Sequence, residues 1–305
     1  MGNLVDWEAW LRSAAKRPSD NEESKRDRTE QQIRAALDDY GPLSGKYRVY
    51  VKGSYANNTN VRLNYDVDVA VEYTGYFYSD LCFDLQGHDD SEVGVYASYD
   101  TYSREDFKRD IKAALFETFG SDAIEIGKIA YRVRENKTTL PADVVPSWEY
   151  RRYDRIDAWG DPVVHVGSRV YPSTGGYKNN FPKIQVTRGT EKNDRTHRRY
   201  KRMVRCLKKM QTRLTDAGVL ENELPSYLVE CLVYNVPDSL FNNSTYLEDF
   251  RKVVGAIWGS TQPNGDWGEW EEVHGLHYLF KGSFAGMRAD AHTLADKAWD
   301  EVGIE

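Results

Sequence analysis

Gly53-Ser54-Tyr55-Ala56 and, after a polar stretch, Asp66-Val67-Asp68-Val69-Ala70-Val71-Glu72-Tyr73 decide the reading of this chain. The second run alternates polar and apolar residues, the two-residue period of a strand. Asp66 and Asp68 therefore project from one face, while Val67 and Val69 enter the core. Two carboxylates on one rigid face repel unless a cation sits between them. Magnesium is the natural occupant, a hard ion that takes one or two carboxylates plus substrate phosphates. A two-metal phosphoryl-transfer site, with ions about 3.5–4 Å apart, needs a further carboxylate from a neighbouring strand. Asp143 is the candidate. It lies in Leu140-Pro141-Ala142-Asp143-Val144-Val145-Pro146, an otherwise apolar strand where a lone charge is costly.

Upstream, Tyr47-Arg48-Val49-Tyr50-Val51 is β-branched and aromatic, a strand that runs into Gly53-Ser54. Glycine there lets backbone N–H groups approach a phosphate closely, with the Ser54 hydroxyl as a further donor. Gly-Ser alone carries no information, and Asp-x-Asp alone reads as a solvated edge strand. The ordered set is different, because each part has a separate role in one reaction.

Outward from this region the periodicity changes. Trp7, Trp10, Leu11 and Ala14 recur at helical spacing, and Ile33, Ala36, Leu37 and Tyr40 continue it to a stop at Gly41-Pro42. These predict an N-terminal helical hairpin or one long broken helix. Ser103 to Phe119 is an amphipathic helix with Phe107, Ile111, Ala114, Leu115 and Phe119 on one side. Residues 123–134 and 138–145 read as two further strands, the second ended by Pro146. The span 148–188, rich in Tyr, Pro and Gly, reads as short strands and loops. Helical patterns follow at 194–214, 225–235, 245–258 and 284–302. Strands first and helices later give an α+β chain with a mixed β-sheet lobe and a helical lobe. Residues 1–190 hold the N-terminal helices and the catalytic sheet lobe, and 191–305 the helical lobe that completes a nucleotide pocket.

Bulk composition narrows the options. The chain has 305 residues, 40% apolar and 29% charged, which suits a soluble chain of two lobes. Its 41 basic and 48 acidic residues give a net charge of −7. That argues against bulk binding of duplex nucleic acid but leaves room for small anionic substrates at a local basic site. Three widely spaced cysteines, Cys82, Cys206 and Cys231, imply no disulfide framework and no CxxC metal pair. They read as small buried hydrophobes of a reducing, cytoplasmic setting. The N-terminal stretch 1–16 carries Asp6 and Glu8 and is no signal peptide, and no apolar run suffices to span a bilayer.

One helix has an unusual charge. Tyr200, Met203, Val204, Leu207, Met210 and Leu214 form its apolar stripe, and nine cations from Arg195 to Arg213 are interrupted by no acid. Most belong to a solvated face. A triphosphate at one end of the helix accounts for the excess, and Lys208, one turn beyond Val204, flanks the stripe better than Lys209. The His274-x-x-His277 pair lacks further zinc ligands at suitable spacing and reads as structural.

This set resembles the polymerase-β-type nucleotidyltransferase superfamily. Within it the chain is similar to the bacterial cGAS/DncV-like nucleotidyltransferases. The first motif is Gly53-Ser54-Tyr55-Ala56, Thr59 and Asp66-Val67-Asp68-Val69, and Ala142-Asp143-Val144-Val145-Pro146 is the third-aspartate strand. Residues 202–209 resemble the helix with a phosphate-binding lysine, here Lys208. Leu224-Pro225-Ser226-Tyr227 resembles the start of the next helix, whose early serine contacts the triphosphate, and residues 270–280 resemble a late strand-like segment.

The resemblance implies a bilobed polymerase-β-like fold with the active site in the cleft. Asp66, Asp68 and Asp143 would be the catalytic residues and the ligands of two magnesium ions, or manganese. Gly53, Ser54, Lys208, Ser226 and Tyr227 would bind nucleotide. It implies ATP and GTP as substrates and a cyclic di- or trinucleotide product, with a mixed adenine/guanine dinucleotide as the leading choice. A separate effector protein would read that product as an alarm in bacterial antiphage defence. No long nucleic acid and no membrane is required, and a regulatory partner protein is left open. A linear oligonucleotide synthase of the oligoadenylate or tRNA-end type and a silent nucleotide-binding sensor are the alternatives.

Overall fold

The computed structural model describes residues 5–61, 66–96 and 100–303. The helices are α1 (Trp7–Ala14), α2 (Asp20–Asp38), α3 (Gly53–Ala56), α4 (Arg104–Phe119), α5 (Pro182–Arg195), α6 (Tyr200–Asp216), α7 (Ser226–Asn235), α8 (Tyr246–Ser260) and α9 (Arg288–Val302). The strands are β1 (Tyr47–Lys52), β2 (Val67–Leu81), β3 (Ile124–Ile126), β4 (Tyr131–Val133), β5 (Ala142–Ile156), β6 (Pro162–Val170) and β7 (Lys178–Asn180). The chain packs as two compact units. One comprises Asp20–Gly53 and Tyr65–Lys183, and the other Met1–Ser19, Ser54–Asn64 and Ile184–Glu305.

The first unit is a mixed sheet. The order β1-β2-β5-β4-β3 is extended by β6, which pairs with β5, and by β7, which pairs with β6. β2 and β5 run parallel, and every other pairing is antiparallel. A parallel pair needs a long crossover, and α4 lies within it. The odd-numbered valines of β2 (Val67, Val69 and Val71) are fully buried, together with Val144 and Trp148 of β5. Buried with them are Phe107, Ile111 and Leu115 of α4 and Ile33 and Leu37 of α2. Phe107 meets Trp148 edge-on at 5.6 Å between ring centroids. The opposite face of the same strands carries Asp68, Glu72, Asp143, Ser147 and Glu149, with Ala70 and Val145 buried on it as well.

Three strand boundaries differ from the periodicity. Residues 123–134 form a hairpin, β3 and β4, rather than one strand. The strand β5 does not stop at Pro146 but continues to Ile156. On its second edge, β5 pairs with β4 up to Val144 and with β6 from Trp148 onward. Pro146 falls in that gap, where a residue without an N–H loses no ladder bond. The span 148–188 accordingly holds a long strand and β6, not only short strands.

The second unit is helical. Leu11 and Ala14 of α1 join one buried cluster with Tyr200, Met203, Val204, Leu207, Met210 and Leu214, the stripe of α6, and with residues of α7, α8 and α9. Residues 5–19 and 54–61 thus belong to the same unit as the later helices. The pattern 194–214 is broken into α5 and α6 at His197 and Arg198, both in the left-handed region with φ of 48° and 66°. No glycine or proline marks this break. The Arg198 N–H turns back to the Asn193 carbonyl at 2.6 Å, and Thr196 Oγ1 accepts the Tyr200 N–H at 3.1 Å at the start of α6. Cys206 and Cys231 are buried, whereas Cys82 is only partly so. Among the described residues, no helix is long and apolar enough to cross a membrane.

Candidate active site

Register across the sheet builds the acidic site. Lys52 of β1 lies opposite Asp68 of β2, Asp68 opposite Asp143 of β5, and Asp143 opposite Arg132 of β4. Residues directly opposite share a face, so the four form one row in the order plus, minus, minus, plus. Asp66 is two residues before Asp68, and its Oδ1 accepts from Arg132 Nη2 at 2.6 Å. All three predicted carboxylates therefore belong to one patch of one face.

The electrostatics follow from burial and proximity. Burial raises the Asp68 pKa, Lys52 opposes the shift, and the Asp143 and Asp66 carboxylates reinforce it, leaving Asp68 at about 6. Asp143 is also raised, by burial first, with Arg132 and Lys52 opposing and Asp66 adding to it. Lys52 is lowered by burial against the pull of Asp68, Asp143 and Glu72. Acids crowded enough to hold protons near neutrality are poised to exchange them for a cation. All their donor atoms are carboxylate oxygens, the set a hard divalent ion takes.

Gly53 closes this patch. It has φ of +69°, and a methyl group added there would collide with Asp68 Oδ2. Glycine is therefore required twice, by its backbone angle and by the space the carboxylate occupies. The Gly-Ser stretch forms the single turn of α3 rather than an open loop.

The segment after Ser54 is tied down inside the helical unit. The Thr59 N–H donates to the Ser54 carbonyl at 2.9 Å. Thr59 Oγ1 donates to Glu230 Oε2 at 2.7 Å, and Gln185 Nε2 donates to Glu230 Oε1 at 3.0 Å. Lys208 is buried, and its Nζ donates to the Thr59 carbonyl at 3.1 Å. Its pKa is lowered by burial, with the Glu230 charge opposing. Lys208 thus holds the segment that begins with Ser54. Ser226 is exposed at the first residue of α7. Tyr227 is partly buried against the helical core, its ring 6.0 Å from that of Phe284.

Sequence reasoning missed Lys52, Arg132 and Glu230. Lys52 shares strand parity with Arg48 and Tyr50, and Arg132 sits between Tyr131 and Val133, so alternation alone puts each on a polar face. Glu230 was signalled more strongly, as a lone acid inside Leu228-Val229-Glu230-Cys231-Leu232.

His274 and His277 gain a third companion, Glu272, with donor atoms within 4.8 Å of one another. His274 Nδ1 accepts the Leu276 N–H at 3.1 Å, which leaves Nε2 to donate to Glu272 Oε2 at 3.1 Å. Both ring nitrogens are then engaged, so the group clamps the turn between Glu271 and Tyr278, which form a β-bridge. Burial pushes the Glu272 pKa up, but the hydrogen bond with His274 and the His277 ring 3.8 Å away outweigh it and pull it down to about 2.

Known proteins share this architecture. Residues 187–303 match the family described as the cGAS/DncV-like nucleotidyltransferase C-terminal helical domain. Over 295 residues the chain is 34% identical to the cyclic dipyrimidine nucleotide synthase CdnE of Cecembia lonarensis, covering 96% of this chain and 97% of that one. It is 34% identical over 278 residues to the cyclic dipurine nucleotide synthase of Elizabethkingia meningoseptica, 90% of each chain. The structure of the Rhodothermus marinus CdnE c-UMP-AMP synthase with Apcpp and Upnpp aligns with a TM-score of 0.81 at 30% identity, over 99% of both chains.

Proposed function

Since this chain belongs to the cGAS/DncV-like nucleotidyltransferases, we propose that it joins two nucleoside triphosphates and closes the product into a cyclic dinucleotide. The observation that carries the reading is the Asp68–Asp143 register pair, with Asp66 beside it and Gly53 against it. In the proposed reaction a ribose hydroxyl attacks the α-phosphate in line and pyrophosphate leaves. A second such step, within the linear intermediate, closes the ring.

Enzymes of this family depend on a divalent metal, and the oxygen-only donor set fits one. In this proposal Asp66, Asp68 and Asp143 hold two magnesium ions, or manganese. Bound there, the ions would polarise the α-phosphate and neutralise charge on the attacking and leaving oxygens. In this reading Asp143, its pKa raised chiefly by burial, would take the attacking hydroxyl's proton on its carboxylate oxygen. The Gly53 backbone and the Ser54 hydroxyl would hold the terminal phosphate, with Ser226 and Tyr227 as further nucleotide-binding residues. Lys208 fixes Thr59 and lends positive charge.

ATP and GTP are the proposed substrates. The relatives described above differ in the bases they join, so the pair belongs to this proposal and not to the family. The product is proposed to leave a cytoplasmic enzyme and activate a separate effector protein in antiphage defence, with no long nucleic acid taking part. The test is incubation with the four labelled nucleoside triphosphates and a divalent ion, followed by phosphatase and exonuclease digestion and mass spectrometry. The expected result is a product that resists both enzymes. A product that exonuclease degrades means a linear synthase, and tight nucleotide binding without turnover means a sensor.

A further inference from the structure

A second, strictly basic hollow lies in the helical unit. It is a cavity of about 220 Å³, and seven of its ten lining residues are Lys or Arg, with no acid among them. The end of α1 and the segment after it contribute Arg17. The α5–α6 junction contributes Arg198, and the first turns of α6 contribute Lys201, Arg202 and Arg205. Tyr246, at the start of α8, closes one wall. None of the residues proposed to act on nucleotide lines it.

Several costs meet at this hollow. Arg198 and Arg202, like Lys201 and Arg205, are like charges four residues apart, a destabilising spacing where it falls on a helix. Lys201 and Arg202 also crowd the N-terminal end of α6, where the helix dipole disfavours cations. Arg198 is held with φ of +66°, an unusual angle for a side chain of its size. Arg205 is 2% exposed and gives its guanidinium hydrogens to carbonyls, Ala15 O at 2.7 and 2.9 Å and Asn58 O, so no carboxylate neutralises it. Lys201 Nζ donates to a hydroxyl, Thr190 Oγ1, at 3.2 Å, with the Glu230 and Asp194 charges acting on it without an ion pair among the described residues, and Arg202 donates to the Tyr246 hydroxyl at 2.8 Å. Carboxylates are not scarce nearby: Arg199 pairs with Asp249 at 3.1 Å and Arg195 with Asp238 at 2.7 Å. They are absent from the cavity lining, where Arg12 is paired with Glu8 at 2.7 Å and the remaining cations carry no such pair among the described residues. Burial lowers the Arg205 pKa to about 10, and the neighbouring Arg17 and Arg202 charges push the same way. A cluster with so many cations and no carboxylate on its lining calls for an anion.

We propose that this hollow is a regulatory binding site for a small oligophosphate, either a free phosphate chain or the phosphate tail of a nucleotide. The cavity is smaller than the roughly 300–1,000 Å³ of an ordinary drug-sized pocket, which suits a short phosphate chain rather than a large ligand. Several convergent guanidinium and ammonium groups suit several phosphate oxygens. Arg205 connects the site to synthesis, since it also holds the Asn58 carbonyl, in the segment that begins with Ser54. Only this last link rests on the nucleotidyltransferase reading: an anion that draws on Arg205 shifts that segment and changes the donor KM.

The test uses the full chain and inorganic tripolyphosphate, titrated calorimetrically without divalent ion. The expected result is one saturable site, weakened at least about tenfold in an Arg17→Glu, Arg198→Glu variant, which is a change of about 1.4 kcal/mol. Both residues are exposed, so their replacement leaves the fold intact. Ser54→Ala should bind as the native chain does. ATP run alongside identifies the source: equal affinity means the phosphate chain alone, and tighter ATP binding that Arg17→Glu, Arg198→Glu still abolishes means a nucleotide. In synthesis assays at fixed free metal, tripolyphosphate should change the donor KM of the native chain and not of the double variant. No saturable binding, or binding lost in Ser54→Ala and kept in the double variant, overturns the proposal. Binding of single-stranded RNA at these residues that tripolyphosphate does not displace overturns it too, in favour of a nucleic-acid face. Oligophosphate binding in a chain that makes no product leaves the site standing and removes the synthase reading.

Discussion

Two charged regions of this molecule are built on opposite rules. On the sheet, Asp68 and Asp143 are bracketed in register by Lys52 and Arg132, so each acid has a cation one strand away. In the helical unit, Arg17, Arg198, Lys201, Arg202 and Arg205 surround a cavity with no acid. The sheet row is nearly neutral and still proton-hungry, because two acids stay side by side at its centre. The hollow has no acid on its lining, and of its seven cations Arg12 is paired, with Glu8 behind it. The contrast teaches that net charge says little about a site. In the sheet row the balancing charges come from neighbouring strands, and on the lining of the hollow no acid supplies them.

The strongest way to break this contrast is Asp68→Ala. Synthesis should fall by at least about 10²–10³-fold, the scale of losing one group that stabilises transition-state charge. Thermal stability of the metal-free chain should hold or rise, because Asp68 is destabilised where it sits. A large stability loss would mean that the row is a structural ion network and not a site under tension.

Gly53→Ala comes next. The new methyl group meets Asp68 Oδ2 and the left-handed angle adds strain, so steady-state kinetics should show a loss of about 10²-fold, typical of displacing a reacting group by an ångström. Native-like rates would show that Gly53 and Asp68 need not approach so closely.

Thr59→Val removes the hydroxyl from the buried Glu230 carboxylate. Urea denaturation should report a loss of about 1.5–3 kcal/mol, the range for a hydrogen bond to a charged group, with a higher donor KM. An unchanged KM would mean that the Ser54–Asn60 segment does not depend on this anchor.

The smallest effect is a pH dependence. Asp68 titrates near 6, raised chiefly by burial, so protons compete with divalent ions below that pH. Calorimetric ion affinity should fall by up to about tenfold per pH unit below 6 and level off above 7. In the ion-free chain the same raised pKa makes Asp68's contribution to stability complete below 3.8 and lost as pH rises through 6. Lys52→Met removes the opposing cation and should move the affinity midpoint to higher pH. An unmoved midpoint would show that Lys52 is not the balancing charge.

Much of the fold was legible because it is local. The alternation of Val67, Val69 and Val71 revealed β2 and its buried face, and the stripe from Tyr200 to Leu214 revealed α6. Two features were not legible for physical reasons. Pro146 ends a strand in any local reading, and only the gap between the partners of β5 makes it tolerable there. The break before α6 rests on left-handed backbone at His197 and Arg198, which no glycine announces. At the candidate site Asp66, Asp68 and Asp143 were legible as an ordered set with Gly53-Ser54, since each piece alone also fits a solvated strand. Lys52 and Arg132 acquire their place from pairings across the sheet, and residue type alone does not encode that register.

The parallel pairing of β2 with β5 also has a consequence in time. Asp68 and Asp143 are direct partners, yet a ribosome adding about 5–20 residues per second makes the second roughly 4–15 s after the first. Through that interval β1 can cover one edge of β2, while the other edge, rich in valine, stays open to any passing strand. The nascent chain thus carries an adhesive edge for seconds before it has any chemistry. A molecule cut short before β5 would be an aggregation hazard that also lacks Asp143.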